Sequence, residues 1–332
     1  MRWLITGGCG FIGRNLIRRL LGESGHGVRV VDDLSVGTRA DLGEISPVQD
    51  VDVGALAPVV PGAPVQLLVG DVLDAELAQR AVTGVDAVVH LAANTGVGPS
   101  VANPRRDCSI NVLGTLNYLE ACRHAGCKRF VFASSGAPVG ECNPPIHEEL
   151  PPHPESPYGA SKLAGEGYCS AYKRSFGIDT TVLRFGNCYG PLSSHKGSVV
   201  AKFIRDALQQ RTWEIYGDGH QTRDFIYVDD IVDAILRAAT VAGIGGQIFQ
   251  IATNAETSVL ELSDRLRSIL RERGVAVPAV RHGATRTGDV RRNFSDTSKA
   301  RARLEWQARV PLDEGLRRTV DWFLADRARL GV

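Results

Sequence analysis

The sequence predicts an α/β fold in which helices cover both faces of a parallel β-sheet, with a smaller C-terminal lobe. Three observations carry this prediction. Short apolar runs alternate with amphipathic stretches, a glycine-rich loop joins the first run to the first amphipathic stretch, and the alternation resumes beyond residue 150. The 332 residues, 43% of them hydrophobic and 23% charged, suffice for one large domain or two coupled domains.

The first half of the chain supplies most of the sheet. Apolar or β-branched runs predict strands over 2–6, 28–31, 65–69, 87–91 and 129–132, and the stretches between them predict helices over 11–21, 75–83 and 103–125. Residues 40–64 are rich in Val, Pro, Gly and Ala without a clear period. We interpret them as an excursion between the second and third strands.

The second half predicts a helix over 157–175, a strand over 180–185 and a Gly/Ser/Pro-rich loop over 186–198. Two further strands, over 224–227 and 247–251, are expected to return to the first sheet. The predicted organisation is therefore a doubly wound Rossmann domain over 1–185, with 224–251 returning to it, and a smaller, discontinuous substrate-binding lobe over 186–332.

Charge and cysteine usage narrow the function classes. The net charge is +1 and no basic stripe or acidic tail occurs, so we expect neither a nucleic-acid nor a membrane partner. The opening MRWLITGGCGFIG lacks a secretory signal pattern and no apolar run approaches about 18 residues, which predicts a cytoplasmic protein. The seven cysteines are scattered and the eight histidines do not cluster, so we expect free thiols and no metal.

The loop TGGCGFIG carries two overlapping dinucleotide-binding spacings, one through Gly7, Gly10 and Gly13 and one through Gly8, Gly10 and Gly13. Glycines let the backbone approach a pyrophosphate, and amides at the helix N-terminus bind the anion. Asp32 ends the next strand, where its carboxylate would accept hydrogen bonds from ribose hydroxyls and repel a 2′-phosphate, which favours NAD over NADP. The alternative is a packing turn with a capping aspartate. Asp71, at the end of the third predicted strand, is either an adenine contact or a generic loop aspartate.

Tyr158 and Lys162 stand four residues apart at the start of the helix in SPYGASKLAGE, so they share one face. A free tyrosine has a pKa of about 10, and lowering it to about 7 takes roughly 4 kcal/mol. A lysine ammonium and a positively charged nicotinamide ring supply this in a dry site, so Tyr158 is the candidate base for a sugar or alcohol hydroxyl. The alternative is an exposed helical pair without a function.

Seven motifs follow one another along the chain: TGGCGFIG, HLAA at 90–93, NVLGT at 111–115, the serine pair at 134–135, the Y-x-x-x-K pair, RFGNCYGP at 184–191 and GDGHQTRDFIYVDD at 217–230. In this order they resemble the extended short-chain dehydrogenase/reductases. Within these, the chain is most similar to the NAD-dependent nucleotide-sugar epimerase/dehydratase family, particularly its UDP-glucose 4-epimerases. The resemblance runs over nearly the whole chain.

The resemblance implies site residues position by position, beginning with a catalytic triad of Ser135, Tyr158 and Lys162. The implied NAD contacts are Gly7, Gly10, Phe11, Ile12, Gly13, Asp32, Asp33, Asp71, Val72, Leu91, Ala92, Ala93, Asn111, Tyr158 and Lys162. The implied substrate contacts are Thr95, Ser135, Asn187, Ser198, Val199, Tyr216, Arg223, Arg286, Asp289 and Asn293.

Among the implied substrate contacts, the two arginines have a chemistry that suits the substrate. Two positions of the pocket, by contrast, differ from the residue types found in other members of the family. The guanidinium groups of Arg223 and Arg286 suit a diphosphate, although without the family either residue would be read as a solvated arginine. Val139 stands where the family commonly has a tyrosine in the serine loop, which removes a polar ring expected in the pocket wall. Thr95 stands where some hexose epimerases carry a lysine.

The residue types of the serine loop favour one of the candidate reactions over the others. Gly136 and Ala137 follow Ser135 where 4,6-dehydratases of the family place an Asp-Glu pair and decarboxylases a glutamate, and loss of water needs such a base and acid. Resemblance and loop together predict a 4-epimerase for a UDP-hexose, UDP-hexuronic acid or UDP-N-acetylhexosamine, acting through a 4-keto intermediate. The alternatives are a nucleotide-sugar dehydratase or 4-keto reductase and, more remotely, a non-catalytic dinucleotide-binding protein.

The resemblance also implies a homodimer, because in the family the helices near 103–125 and 157–175 form an intersubunit four-helix bundle. Apolar or aromatic residues occur on them at near-helical spacing: Val112, Leu116, Leu119, Leu163, Tyr168 and Tyr172. The alternative is that these side chains contact only the parent sheet. Asn293 aligns with a tyrosine of glucose-restricted epimerases, so we expect room for an N-acetyl group at carbon 2 of the sugar.

Overall fold

The structure, a computed structural model, describes residues 1–285 and 290–327. Its strands are β1 Arg2–Thr6, β2 Gly27–Asp32, β3 Val48–Asp50, β4 Val65–Val69, β5 Ala87–His90, β6 Arg129–Ser135, β7 Asp179–Phe185, β8 Asn187–Tyr189, β9 Trp213–Tyr216, β10 Thr222–Arg223, β11 Phe225–Tyr227, β12 Gln247–Ile251, β13 Thr257–Ser258 and β14 Val280–Gly283. Its helices are α1 Phe11–Leu21, α2 Arg39–Gly43, α3 Ala75–Val82, α4 Val97–Ala102, α5 Pro104–Cys108, α6 Gly114–Ala125, α7 Pro157–Phe176, α8 Val199–Leu208, α9 Val228–Thr240, α10 Val259–Glu272, α11 Ser298–Arg303 and α12 Leu312–Ala325.

Eight parallel strands form the main sheet in the order β3–β4–β2–β1–β5–β6–β7–β12. The strand order reverses between β1 and β5, and a crevice lies beyond the carboxyl ends of strands at such a point. The doubly wound parallel fold predicted from the sequence is therefore confirmed. Within the described residues, no helix is long and apolar enough to cross a membrane.

The side chains of β1 alternate between two apolar cores, as the period of a strand requires. Trp3 and Ile5 belong to the core that includes residues of α1, α9 and α11. Leu4 belongs to the core on the other face, which includes residues of α3, α6 and α7. The helices of these two cores cover the two faces of the sheet with their apolar residues and leave the ends of the strands uncovered by them.

Two regions of the first half of the chain differ from the sequence-based expectation. The excursion over 40–64 contains a helix, a 3₁₀ turn at Val53–Ala55 and the edge strand β3, whose three residues are too few and too polar to show a period. The helix expected over 103–125 is divided into α5, a π-helical turn at Ser109–Leu113 and α6. Such π-turns occur frequently at functional sites, and this one contains Asn111.

The C-terminal segments are shared between the main sheet and a third apolar core. Of the two strands expected to return to the main sheet, β12 does so by pairing in parallel with β7. The expectation is wrong for 224–227, because β11 pairs with β8 in a separate two-stranded sheet. The third core lies among α8, α10 and α12, where the rings of Phe203 and Trp213 stack 4.5 Å apart. A parallel bridge between Ile146 and Ser295 brings the chain after residue 290 back to the segment that follows the serine loop.

Candidate active site

The glycine loop follows β1 and contacts the loop after β5, on either side of the crevice. Gly7 has a φ of +69°, and a Cβ there would lie 2.8 Å from the Ala92 amide nitrogen. A Cβ on Gly13 would lie 2.6 Å from the Gly7 carbonyl oxygen. Only glycine permits this backbone conformation and approach without strain. The amides of Leu91 and Ala92 donate to the carbonyl and hydroxyl of Thr6, at 3.1 and 3.2 Å; Ala93 follows and is partly buried.

The N-terminus of α1 has the free donors that a diphosphate needs. Gly10 is its N-cap, with an extended backbone and no side-chain capping hydrogen bond. The first-turn amides of Phe11, Ile12 and Gly13 have no partner within the helix. A Cβ on Gly10 would approach only the Gly7 carbonyl, at 3.2 Å, so the outer side of the loop is open. The loop and helix end together fit the pyrophosphate of a dinucleotide.

Three aspartates stand beyond the carboxyl ends of β2 and β4. The Asp32 carboxylate accepts from the amides of Cys9 at 2.8 Å and Leu34 at 2.9 Å, which hold it in place. Burial raises the pKa of Asp32, and these two backbone amides act in the opposite direction. Asp33 and Asp71 are exposed and each accepts a hydrogen bond from the amide two residues later. Val72 is buried, and its carbonyl accepts from Asn117 at 3.0 Å.

The three predicted catalytic side chains come together where β6 ends against the first turns of α7. Ser135 is the last residue of β6, and its hydroxyl is hydrogen-bonded to Tyr158. Tyr158 lies in the first turn of α7, which Ser156 caps by accepting from the Gly159 amide at 3.1 Å. The Lys162 ammonium lies 5.9 Å from the centre of the Tyr158 ring and donates to the Ala133 carbonyl at 2.9 Å.

Burial moves the pKa values of the catalytic pair in opposite directions. Burial raises the pKa of Tyr158 to about 12, the Ser135 hydrogen bond lowers it, and Asp107 raises it. Burial lowers the pKa of Lys162 to about 8, although the carboxylates of Asp107 and Glu166 favour its charged form. Positive charge beside the phenol would lower the pKa of Tyr158, and the Lys162 ammonium stands 5.9 Å from the centre of the Tyr158 ring.

The two adjacent serines have different partners. The Ser134 hydroxyl donates to Glu166 at 2.6 Å, on the side of the strand opposite to Ser135. Glu166 in turn receives two hydrogen bonds from Arg184 on β7, at 2.8 and 2.7 Å, and all three residues are at most 4% exposed. Sequence analysis did not single out this buried cluster. The sequence feature that could have indicated this cluster is the position of Glu166, four residues after Lys162 on the same face of the helix.

Asn111 lies at the centre of a second network that sequence analysis identified only in part. Its side chain donates to Asp107 and Ser161 at 3.1 and 3.0 Å and accepts from the Asn94 amide at 2.8 Å. Asp107 is fully buried and also accepts from the Asn94 side chain at 3.1 Å. These contacts join the loop after β5 to α7. Thr95, the adjacent predicted substrate contact, is exposed at the edge of this loop.

The predicted substrate contacts of the middle segment lie around β8 and the start of α8. Asn187 is exposed, and its amide donates to the Asp224 carbonyl at 2.7 Å. Ser198 is the N-cap of α8 and Val199 its first residue. Val139 is 1% exposed and hydrogen-bonded through its backbone to Gly136 and His153, so its side chain lies inside the loop.

The remaining predicted contacts come from the C-terminal segments. Tyr216 ends β9 and is partly buried. Arg223 donates to the Val290 carbonyl at 2.8 Å. Asn293 reaches the serine loop, because a Cβ on Gly136 would lie 3.6 Å from its amide nitrogen. Arg286 and Asp289 lie outside the described residues. Among residues 1–285 and 290–327, no group of three His, Cys, Asp or Glu side chains could hold a metal ion, and the seven cysteines are free.

Comparison with known proteins agrees with this geometry. A sequence model of the NAD dependent epimerase/dehydratase family matches residues 3–252. The UDP-glucose 4-epimerase of Mycolicibacterium smegmatis is 38% identical over 333 residues, 97% of this chain and 98% of that protein. A dTDP-glucose 4,6-dehydratase of Streptomyces niveus is 33% identical over 334 residues, 99% and 94% of the two chains. The crystal structure of the Thermotoga maritima UDP-glucose 4-epimerase with UDP-glucose has a TM-score of 0.86 at 35% identity, over 98% of this chain and 100% of that one. Similar solved structures contain NAD.

Proposed function

Because the chain belongs to the NAD-dependent epimerase/dehydratase family, we propose that it is a nucleotide-sugar 4-epimerase whose cofactor is NAD. The observation that carries the choice of reaction is the serine loop. Ser135 is hydrogen-bonded to Tyr158, and the next two residues, Gly136 and Ala137, bring no carboxylate. Epimerisation at carbon 4 needs one proton-transfer residue, whereas elimination of water needs a further base and acid.

In the proposed mechanism Tyr158 takes the proton of the 4-hydroxyl group, and Ser135 orients that hydroxyl by sharing its hydrogen bond. NAD, when bound, would accept a hydride from carbon 4 of the sugar and would later return it. Lys162 stabilises the phenolate by its charge, and its hydrogen bond to the Ala133 carbonyl holds the ammonium in place. The pocket would have to let the 4-keto sugar turn, and Tyr158 returns its proton to the oxygen at carbon 4.

Near the serine loop, Cys142 and Glu141 are the two other candidate bases for a proton at carbon 5 of the sugar. Cys142 is partly buried, and burial raises the pKa of its thiol, which disfavours the thiolate. Glu141 is exposed, and its backbone amide donates to Glu155 at 3.0 Å. These properties support the epimerase over a dehydratase or a 5-epimerase.

The test is the reaction of purified protein with UDP-, CDP-, GDP- and dTDP-sugars in deuterium oxide. We expect a UDP-sugar to be converted to its 4-epimer without carbon-bound deuterium, because the hydrogen of carbon 4 does not exchange with water. Mass spectrometry and NMR measure the label. A gain of one mass unit located at carbon 5 would contradict the proposal and indicate an elimination or 5-epimerisation. Consumption of added NADH would instead indicate a 4-keto reductase.

The proposed substrate is a UDP-hexose, UDP-hexuronic acid or UDP-N-acetylhexosamine, and Asn293 is the proposed contact at carbon 2. Its amide nitrogen stands close to Gly136 in the serine loop, so a larger side chain at 293 would narrow the pocket there. We expect Asn293→Tyr to lower the ratio of N-acetylhexosamine to hexose rates about tenfold, equivalent to roughly 1.4 kcal/mol. Asn293→Ser is the control and should keep the ratio. An unchanged ratio in Asn293→Tyr would show that this side chain does not select the sugar.

The homodimer and the cytoplasmic location remain predictions. Of the six helix residues proposed for the interface, Leu119 and Tyr172 are buried within the subunit and Tyr168 is 39% exposed. Val112, Leu116 and Leu163 are partly buried. Exposed Leu113 and Phe176 add to the apolar surface of the same two helical segments.

A further inference from the structure

The loop over 190–197, between β8 and α8, is fastened to the helix that starts the cofactor site. The Arg14 guanidinium donates to the Leu192 carbonyl at 2.7 Å, and the Asn15 amide donates to the Pro191 carbonyl at 3.1 Å. From the other side, Arg205 donates to the Ser194 carbonyl at 2.6 Å. Because Arg14 and Asn15 are themselves buried on α1, the loop has a fixed position beside the N-terminal turns of that helix.

Within this loop, the Lys196 side chain contacts both α1 and β8. Its ammonium lies 4.8 Å from the centre of the Phe11 ring, and Phe11 is the first residue of α1. The same ammonium donates to the Cys188 carbonyl at 2.6 Å. Cys188 follows Asn187, a proposed substrate contact. The positive charge therefore stands between the helix end that accepts the cofactor and the strand that borders the nucleotide sugar.

The charge of Lys196 has no counter-ion in the part of the chain that the structure describes, where no carboxylate lies within ion-pair distance of it. Lys202, six residues later, differs in this respect because it pairs with Asp206 at 2.5 Å. Lys196 is partly buried, and burial lowers the pKa of its ammonium. An ammonium has three donors, and a cation withdrawn from water is destabilised until an anion compensates it.

We propose that Lys196 binds a diphosphate in the crevice, either that of NAD or that of the nucleotide sugar. The chemistry is the same for both: a fixed ammonium with donors to spare meets a doubly charged anion beside a helix N-terminus. Lys196 belongs to none of the motifs described above. The proposal rests on the cofactor and substrate class and not on the reaction at carbon 4, so it is tested by binding alone.

The experiment compares Lys196→Met and Lys196→Arg with the wild-type protein, and Lys202→Met is the matched control. Dissociation of NAD from the holoenzyme is measured by fluorescence, and binding of UDP to the holoenzyme by calorimetry, both at low and high NaCl. We expect Lys196→Met to weaken NAD or UDP about 10- to 100-fold at low salt, and less at high salt where charge is screened. Lys196→Arg should restore the affinity to within about threefold, and Lys202→Met should behave as wild type.

The outcomes separate the two diphosphates. Weaker NAD binding assigns Lys196 to the cofactor, and weaker UDP binding assigns it to the substrate. If Lys196→Met changes neither affinity by more than about threefold, the proposal is wrong and the lysine only anchors the loop. Should Lys196→Met fail to fold, Lys196→Gln provides the same comparison. Loss of epimerase activity alone decides nothing here, since the two affinities are measured without turnover.

Discussion

Tyr158→Phe is expected to lower kcat about 10²- to 10⁴-fold while the protein retains its NAD. The substitution removes only the phenolic oxygen, which is hydrogen-bonded to Ser135. The ring stays in the first turn of α7, and the glycine loop that is proposed to bind the pyrophosphate is untouched. Turnover of a UDP-sugar and the NAD content of the purified protein are the two measurements.

Tyr168→Phe is the matched control, because Tyr168 lies on the same helix and its side chain is 39% exposed. It should turn over at the wild-type rate. If Tyr158→Phe keeps more than about a tenth of the wild-type rate, a loss near 1.4 kcal/mol would be too small for an essential base. The assigned role of Tyr158 would then be wrong.

Lys162→Met is expected to stabilise the folded protein at pH 7 by up to about 3 kcal/mol while it lowers turnover about 100-fold. Burial lowers the pKa of Lys162 from 10.5 to about 8. Between these two values the unfolded chain binds more protons than the folded one, so this lysine makes stability rise with pH there. The destabilisation is fully present below pH 8. Methionine removes the charge and retains an apolar side chain of similar length.

Because Lys162 is also an implied NAD contact, urea unfolding at pH 7 and pH 10 is measured on both proteins after NAD has been removed. The difference in free energy of unfolding should be largest at pH 7 and should shrink towards pH 10. Lys202→Met, which removes a partly buried lysine whose charge is compensated by the buried Asp206 carboxylate, should show no such gain. A difference that does not depend on pH would contradict the proposed cost of the buried charge.

The periodic parts of this fold were predictable from sequence because each is determined by a local pattern. The strand Arg2–Thr6 and helix Phe11–Leu21 have the predicted bounds, and the glycine loop between them has the required context. Strand β3 was missed because three residues at a sheet edge, only the first of them apolar and partly buried, are too few to show a period. The π-helical turn was missed because its sequence continues the pattern of the helices beside it.

In the candidate site, too, the residue types could be predicted from the sequence and the contacts between them could not. The residue types of Ser135, Tyr158 and Lys162, and the spacing of the last two, indicate proton transfer next to a dinucleotide. Their mutual contact depends on β6 and α7 being neighbours, and the structure adds the buried partners that hold them there. The contact between Glu166 and Arg184 joins residues that are eighteen positions apart in the sequence, and that between Asn111 and Ser161 joins residues fifty positions apart. A local sequence pattern therefore cannot predict either contact.

The sequence by itself determined the parallel sheet, the position of the glycine loop and the residues that can exchange a proton, since all of these follow from periodicity and chemical type within a few residues. Tertiary structure alone decided which charges are buried and what lies opposite them. Lys162 is buried and Lys196 partly buried by tertiary packing, in which their ammonium groups lie 4.9 Å from the centre of the Phe132 ring and 4.8 Å from that of the Phe11 ring. The burial of a charged side chain and the position of its counter-ion depend on segments that are distant in the sequence. The reason is that the solvation of a charge is determined by all the atoms that surround it in space, and not only by its neighbours along the chain.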